Sequence, residues 1–564
     1  MRWWGWGEEG AAPAVPAATA AEELLRVEIG LEPGAGLPRA ELNDVRLPDA
    51  ALVASVRERL ASIVGAEHVL DDRGSRVSHA AGRSYPDLVR LRAGDAPGAP
   101  DAVVRPATAD QVSAVLQLCS GAQVAVVPFG GGTSVVGGVD AEAPGFAGSI
   151  SLDLGRMDRL LRVDPVSLTA TIEAGMLGPA AEAALAEHGV TLGHFPQSFE
   201  YSTVGGWIAT RSAGQASTGY GRIDQLVEGL RMVSPAGELA PAALPASAAG
   251  PSLRELAMGS EGTLGVICEG TLRVRPAPAE RRYEGWSFRS FEEGTEAFRV
   301  MEQAGGSPDV ARLSDELETR VAMTLASRDS AAERIGRAYL RSRGHEGGCL
   351  VIVGFEGDAE DVERRRLRTA SLLRAGGGVA LGRRPGEAWL RGRYAAPYLR
   401  DELMDRGVLV ETIETATTWT SLQALYRGVA AALRDSLAER GTPALVMCHV
   451  SHLYRSGASL YFTFMARQEA EAPLDQWRAA KTAASDAIVA GGGTITHHHA
   501  VGRDHSPWLR AEIGELGVEV LRAAKERLDP AGVMNPGKLL PAAPAPSPRA
   551  GAARPAQGSP ASPS

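Results

Sequence analysis

The chain is short of cysteine, of long apolar runs and of positive charge. Only four cysteines, Cys119, Cys268, Cys349 and Cys448, occur in 564 residues. None belongs to a C-x-x-C pair, which excludes a zinc ribbon and a thioredoxin-type motif, and so few thiols predict a reducing compartment. No run of about 18 apolar residues is present, so no membrane-crossing helix is predicted. The N-terminus has neither the basic start nor the continuous apolar core of a signal peptide. These absences predict a cytoplasmic protein, with peripheral membrane association left open. Acidic residues outnumber basic ones, 68 to 58, for a net charge of -10. That argues against a nucleic-acid partner, yet leaves room for a local basic pocket facing an anionic substrate.

Glycine is in excess, at 66 residues, against about 7% of an average protein. One explanation is background composition, since alanine and proline are abundant too. The other is backbone that passes close to a ligand, which requires glycines clustered beside strands. The length predicts two or more domains. Residues 51–70 carry apolar residues at helical spacing. Strands are predicted at 101–106, 122–128, 149–154 and 168–174, with helices at 110–120 and between Pro179 and Gly189. Beyond about 279 the pattern changes to helices at 330–343, 360–375, 421–440, 474–490 and 506–528 and strands at 349–355, 444–449 and 458–465. Residues 541–564 carry seven prolines and no acidic or large apolar side chain, which predicts a disordered tail. At the other end, Trp3, Trp4 and Trp6 fit either a sticky terminus or an arm docked on the body.

Three glycine-rich segments carry chemistry. Pro128-Phe129-Gly130-Gly131-Gly132-Thr133-Ser134 follows a buried valine-rich strand, where backbone N–H groups and two hydroxyls can crowd around an anion. It is neither a Walker loop nor G-x-G-x-x-G. Ser202-Thr203-Val204-Gly205-Gly206-Trp207 reads as an N-capped short helix with room for a flat ligand. Gly259-Ser260-Glu261-Gly262-Thr263-Leu264-Gly265-Val266-Ile267 leads polar donors into a strand. Each alone is a plausible structural turn. Their joint presence, in this order, argues for one site.

A fourth segment, Thr494-Ile495-Thr496-His497-His498-His499-Ala500-Val501-Gly502, follows three glycines. On an extended strand His497 and His499 point one way and His498 the other. Such a pair can bind a metal or supply donors and acid/base groups near neutral pH. Upstream, Cys448-His449-Val450-Ser451-His452 adds two imidazoles, which fit either the same site or a metal shared with His497 or His499.

The three glycine-rich segments resemble the flavin-binding domain of the vanillyl-alcohol-oxidase/PCMH family. The resemblance implies an α+β, two-domain PCMH-type FAD-binding fold with a C-terminal α+β substrate/cap domain. The boundaries expected are an N-terminal arm and helical segment at 1–98, the FAD-binding domain at 99–278, the FAD-linked oxidase C-terminal domain at 279–541 and the tail at 542–564. It places FAD against Pro128 to Ser134, Gln197-Ser198-Phe199-Glu200-Tyr201-Ser202-Thr203, Thr210-Arg211-Ser212-Ala213 and Glu261 to Ile267. The first loop has no histidine, so non-covalent FAD is expected.

Within that family the triple histidine, with Tyr398-Leu399-Arg400-Asp401, Tyr461-Phe462-Thr463-Phe464 and Asn535-Pro536-Gly537-Lys538, resembles the alkyldihydroxyacetonephosphate synthase (alkylglycerone-phosphate synthase) branch. What this implies is a transferase that exchanges the acyl chain of acyl-dihydroxyacetone phosphate for a long-chain alcohol in ether lipid synthesis, with FAD giving no net redox. The roles implied are Tyr461 as acid/base group, His497, His498 and His499 beside the reacting centre, Arg312 in support, and Arg400 on the substrate phosphate. No metal is assigned; a homodimer and membrane contact are compatible with it. The alternative is an FAD-dependent oxidase or dehydrogenase of a 2-hydroxy acid or another alcohol. Related D-2-hydroxyacid dehydrogenases carry His-x-Gly-Asp-Gly-Asn-x-x-His near residue 449, whose Asp and Asn this chain lacks.

Overall fold

The computed structural model describes residues 1–8, 18–32, 34, 36, 38–326 and 331–541; the predicted tail at 542–564 lies outside the described residues. Three sheets organise the chain. The first joins Val69–Leu70, Ala102–Val104, Ser149–Asp153 and Ala125–Phe129 in that order, its last three strands parallel. These parallel strands are buried apolar runs, and the helix Ala109–Ala122 lays Val112, Val115, Leu116 and Cys119 on the same core. The second sheet is antiparallel: Leu160–Asp164, Thr169–Glu173, Val266–Arg273, Val227–Ser234 and Gly237–Leu239.

The third and largest sheet is antiparallel throughout, in the order Val379–Gly382, Glu280–Phe288, Cys349–Gly357, Val310–Ser314, Leu445–Tyr454, Gly457–Arg467 and Val408–Thr418. Helices Phe291–Gln303, Ala359–Ala375, Leu422–Glu439 and Pro473–Ala490 contribute to its core, where Phe298, Leu373, Leu433 and Ala484 join Phe288, Phe355, Phe462 and Phe464. Burying such side chains contributes about 1.5–3 kcal/mol each. The opposite face of the strands near Tyr461 carries the polar groups described below.

Several predicted elements occur with shifted ends. The segment 51–70 is the helix Ala54–Val64, a 3-10 turn and a two-residue strand, because Gly65 closes the helix at φ 96°. The predicted helix 506–528 runs from Ser506 to Leu528 but breaks at Gly514, whose φ of 74° is outside the helical region. The tryptophan-rich start is docked. Trp3 and Trp6 are buried, Trp6 sits edge-on to Tyr201 at 5.3 Å, and buried Arg83 donates to the carbonyls of Arg2 and Gly5. All four cysteines are buried and free. Among the described residues no helix is long and apolar enough to cross a membrane.

Candidate active site

The register of the large sheet assembles the centre. Tyr461 on Gly457–Arg467 pairs with His449 on one neighbouring strand and with Glu414 on the other. Directly paired antiparallel residues project to the same face with Cβ atoms about 4.5–5.5 Å apart. The His449 ring stacks on Tyr461 at 4.9 Å and 23°. His449 pairs in turn with Ser314, and Arg312, two residues earlier on that strand, shares the face. The Arg312 guanidinium lies 3.0 Å from each ring nitrogen of His449 and donates to Glu318 at 2.7 Å. Burial opposes ionisation of Glu318, but the charges of His449 and Arg312 outweigh it and hold the carboxyl at about 2. His449 thus sits between the Arg312 guanidinium and the Tyr461 ring. Burial pushes the Tyr461 hydroxyl up to about 12, so at neutral pH it is a proton donor and not a phenolate base.

The histidine triplet is not a strand. Residues 497–499 form a bend whose backbone is folded around one carboxylate. Glu414 accepts the amide N–H of His497, His498 and His499 at 2.5, 3.2 and 2.9 Å and the Thr496 hydroxyl at 2.6 Å. Its side chain is wholly buried. Burial opposes its charge, yet the three histidines and the Thr496 hydroxyl hold its carboxyl well below the usual range. Three residues on, the amides of Val501 and Gly502 donate to Glu261 at 2.8 and 2.7 Å. Glu261, expected at the flavin, ties the third glycine-rich turn to the histidine segment. Burial raises its pKa to about 7 against those two hydrogen bonds.

The bend replaces the alternation expected of a strand. His498 stacks over Tyr461 at 5.8 Å and 15°, while His499 meets it edge-on at 5.6 Å. His497 turns away, with its Nε2 2.5 Å from the Tyr454 hydroxyl. Burial lowers all three imidazoles, His498 to about 4. A neutral imidazole next to a protonated phenol is a donor–acceptor pair suited to moving one proton each way. It also has a thermodynamic signature. The unfolded chain protonates His498 near 6.5 and the folded chain near 4, so its contribution to stability is present above about pH 6.5 and lost as pH falls toward 4. Compared with His498→Asn, which cannot titrate, the wild-type melting temperature should fall progressively across that interval; parallel melting curves would show that His498 is not buried neutral.

The other expected residues divide. Gly131 is pressed against the Tyr201 carbonyl, where any Cβ would collide, and Gly262, at φ 73°, lies on the Pro128 ring, so the three glycine-rich turns meet. The amides of Gly131, Gly132, Thr133 and Ser134 have no acceptor among the described residues, and the Ser260 hydroxyl is buried without a partner. Buried or half-buried donors left open like this mark a ligand site. Other side chains serve the scaffold. Ser202 accepts from the Trp207 indole, Thr203 caps the helix Val204–Thr210, and Thr210 donates to Gly206 within it. Ser212 pairs with His194, and Arg211 is bound to Glu255. Phe199 stacks on Trp207 and Tyr394, and Ala213, Leu264, Val266 and Ile267 are buried. Gln197 donates to the Arg393 carbonyl, and Glu200 accepts from the Tyr398 hydroxyl. Arg400, on the helix Ala396–Met404, donates to the Arg83 carbonyl at 2.7 Å and contacts Asp401, with its Nε buried and unpartnered. None of its described hydrogen bonds goes to Tyr461 or the histidines.

Comparison with known proteins agrees with this geometry. The family model for the FAD binding domain matches residues 100–242, and that for the C-terminal domain of FAD linked oxidases matches 277–539. An alkyldihydroxyacetonephosphate synthase from Trypanosoma brucei brucei is 35% identical over 536 residues, covering 93% of this chain and 87% of the relative. The chain belongs to the alkyldihydroxyacetonephosphate synthase family. A solved alkyldihydroxyacetonephosphate synthase structure superposes with a TM-score of 0.83 at 30% identity, over 96% of this chain and 99% of that one. The structure of p-cresol methylhydroxylase shares the fold, with a TM-score of 0.63 at 14% identity over 86% and 96%. The fold is thus a PCMH-type FAD-binding unit with an FAD-linked oxidase C-terminal unit, and FAD is the cofactor of this family member. The open amides of 131–134 fit a pyrophosphate.

Glu414 and Glu318 are the residues that sequence reading missed. Their signal was faint. Glu411 and Glu414 interrupt a β-branched run, Val408-Leu-Val-Glu-Thr-Ile-Glu-Thr, that otherwise reads as a strand. A charged residue in such a run needs a buried partner, but only the fold names it.

Proposed function

We propose that the chain exchanges the acyl chain of acyl-dihydroxyacetone phosphate for a long-chain alcohol. The fatty acid leaves protonated, as the free acid, and the alcohol oxygen takes its place on the same carbon, with no net redox; the proton lost by the alcohol replaces the one the leaving group takes. The observation that carries this reading is the joint placement of Tyr461 and the triplet: one proton donor and a neutral imidazole, fixed together on Glu414. The open amides of the first glycine-rich loop would hold the FAD pyrophosphate without a covalent tie. When bound, FAD supplies an electrophilic ring for the carbon that changes partners. Tyr461 donates a proton to the departing carboxylate. His498 accepts the proton of the incoming alcohol. His449, held by Arg312 and Glu318, keeps the Tyr461 ring in place. Arg400 offers its open Nε to the substrate phosphate, a group that guanidinium matches in charge and geometry.

The test is anaerobic incubation of the holoenzyme with acyl-dihydroxyacetone phosphate and hexadecanol. Fatty-acid release with alkyl product and an oxidised flavin spectrum at the end is expected. No release from protein with intact FAD would overturn the reading, and flavin bleaching by a 2-hydroxy acid would point to the oxidase alternative. A narrower prediction concerns Arg400. Losing a charge-assisted contact is worth about 1.5–3 kcal/mol, so Arg400→Ala should raise KM for the phosphorylated substrate by about tenfold to a hundredfold. An unchanged KM removes Arg400 from the site.

A further inference from the structure

We infer that His452, His497 and His498 form a binding site for a divalent transition-metal ion of the zinc class. One ring nitrogen from each lies within 4.8 Å of the others. His452 and His497 are 4% and 5% exposed, and the His498 side chain is 15% exposed. The two Nδ1 atoms of His497 and His498 are 2.9 Å apart, the spacing of two nitrogens sharing a proton and a few tenths of an ångström short of the roughly 3.3 Å between two imidazole ligands on a tetrahedral ion. His452 Nδ1 is buried with no hydrogen-bond partner. An unpaired buried polar atom is destabilising until it finds a partner, and this one sits beside the pair: the His452 ring stacks on His497 at 5.0 Å and meets His498 edge-on at 5.6 Å.

The backbone independently aims His452 there. Strict alternation from His449 would send residue 452 to the opposite face of the sheet. The register shifts between Val450 and Leu453, where Ser451 and His452 oppose Ser459 alone. The bulge is held by a hydrogen bond from the His452 amide to the Ser459 hydroxyl and by one between the Ser451 and Ser459 hydroxyls. A bulge of this kind re-aims a side chain, and here it turns His452 onto the triplet. The Tyr454 hydroxyl occupies His497 Nε2, which leaves Nδ1, the nitrogen facing His498, as the atom that would ligate. Three imidazoles select zinc, cobalt, nickel or copper over magnesium or calcium, and three protein ligands leave a coordination position open. The bend decides the set: the pair facing His452 is 497 and 498, not the 497 and 499 expected of a strand.

The site shares His498 with the proposed exchange chemistry, so an ion there would take the lone pair that accepts the alcohol proton. Zinc is expected to inhibit exchange reversibly, with activity restored by chelator. The direct test needs no substrate. Holoenzyme stripped with EDTA is titrated with zinc chloride by calorimetry. One ion per chain is expected, with affinity weakened about tenfold or more in His452→Gln and retained in His452→Cys, which can still ligate. His188→Gln, at an exposed position, should bind as the wild type does. Flavin absorbance confirms that each variant is folded and loaded. Absence of a saturable site, or equal affinity in His452→Gln, would overturn the inference while leaving the exchange reading standing. Conversely, a metal site in a protein without exchange activity would separate the two.

Discussion

Glu414→Gln is expected to lower the exchange rate by about a hundredfold or more while leaving KM for the phosphorylated substrate nearly unchanged. The carboxylate accepts three consecutive amides and one hydroxyl. An amide side chain presents one oxygen to them and turns an NH2 group toward N–H donors. At least one of the histidine amides then loses its acceptor, and hydrogen bonds to a charged group contribute about 1.5–3 kcal/mol each. The bend loosens, His498 leaves its stack over Tyr461, and a misplacement of about 1 Å is enough for a hundredfold loss. Glu414 touches no reacting atom in this account; it is a positioning residue. The split between kcat and KM checks this, because Arg400 lies on a different element and keeps its own contacts. Retained FAD with a lower melting temperature is the companion result. A variant with wild-type kcat would show that the triplet does not depend on Glu414 for its geometry.

Tyr461→Phe should have the largest effect, a fall in kcat of about 10²–10⁴, the usual contribution of a positioned acid/base group. The phenylalanine ring preserves the stacking on His449 and His498, so stability and FAD content should change little. The pH profile adds a sign. Burial places the phenol at about 12, and the acid form is the active one, so the activity that depends on it is present below that value and lost only as pH rises toward it. A rate that climbs through pH 9 to 10 would instead mark the phenolate as the working form and reverse the roles given to Tyr461 and His498.

Much of the flavin fold was legible in the chain. Glycines beside short valine-rich strands announce backbone that a ligand must approach, and Gly131 and Gly262 do lie where a side chain would collide. Tyr461 and the triplet were legible as residue types suited to proton transfer. Their partners were not. Glu414 lies 47 positions before Tyr461 in sequence, and Glu318 lies 131 before His449. Strand register brings Glu414 to Tyr461, and Glu318 reaches His449 from the helix Glu316–Ala326 that follows the strand Val310–Ser314. The contact of Glu261 was hidden for the same reason: this charge in a glycine-rich turn accepts the backbone amides of Val501 and Gly502, 240 and 241 positions away.

The sequence by itself determined the class of protein: an α+β flavin fold with three glycine-rich turns, a net acidic charge, and histidines, arginines and a tyrosine of the right chemistry. These follow from local rules, namely strand and helix periodicity, the backbone freedom of glycine and the hydrogen-bonding inventory of each side chain. Tertiary structure alone decided which imidazole faces which partner. A strand would have paired His497 with His499, but the carboxylate of Glu414 gathers three successive amides and forces a bend, while an extra residue in the neighbouring strand turns His452 inward. Both devices act through hydrogen bonds that exist only once the strands are paired, one across 83 residues from Glu414 to His497 and one across the hairpin from His452 to Ser459, and local pattern carries no information about such bonds.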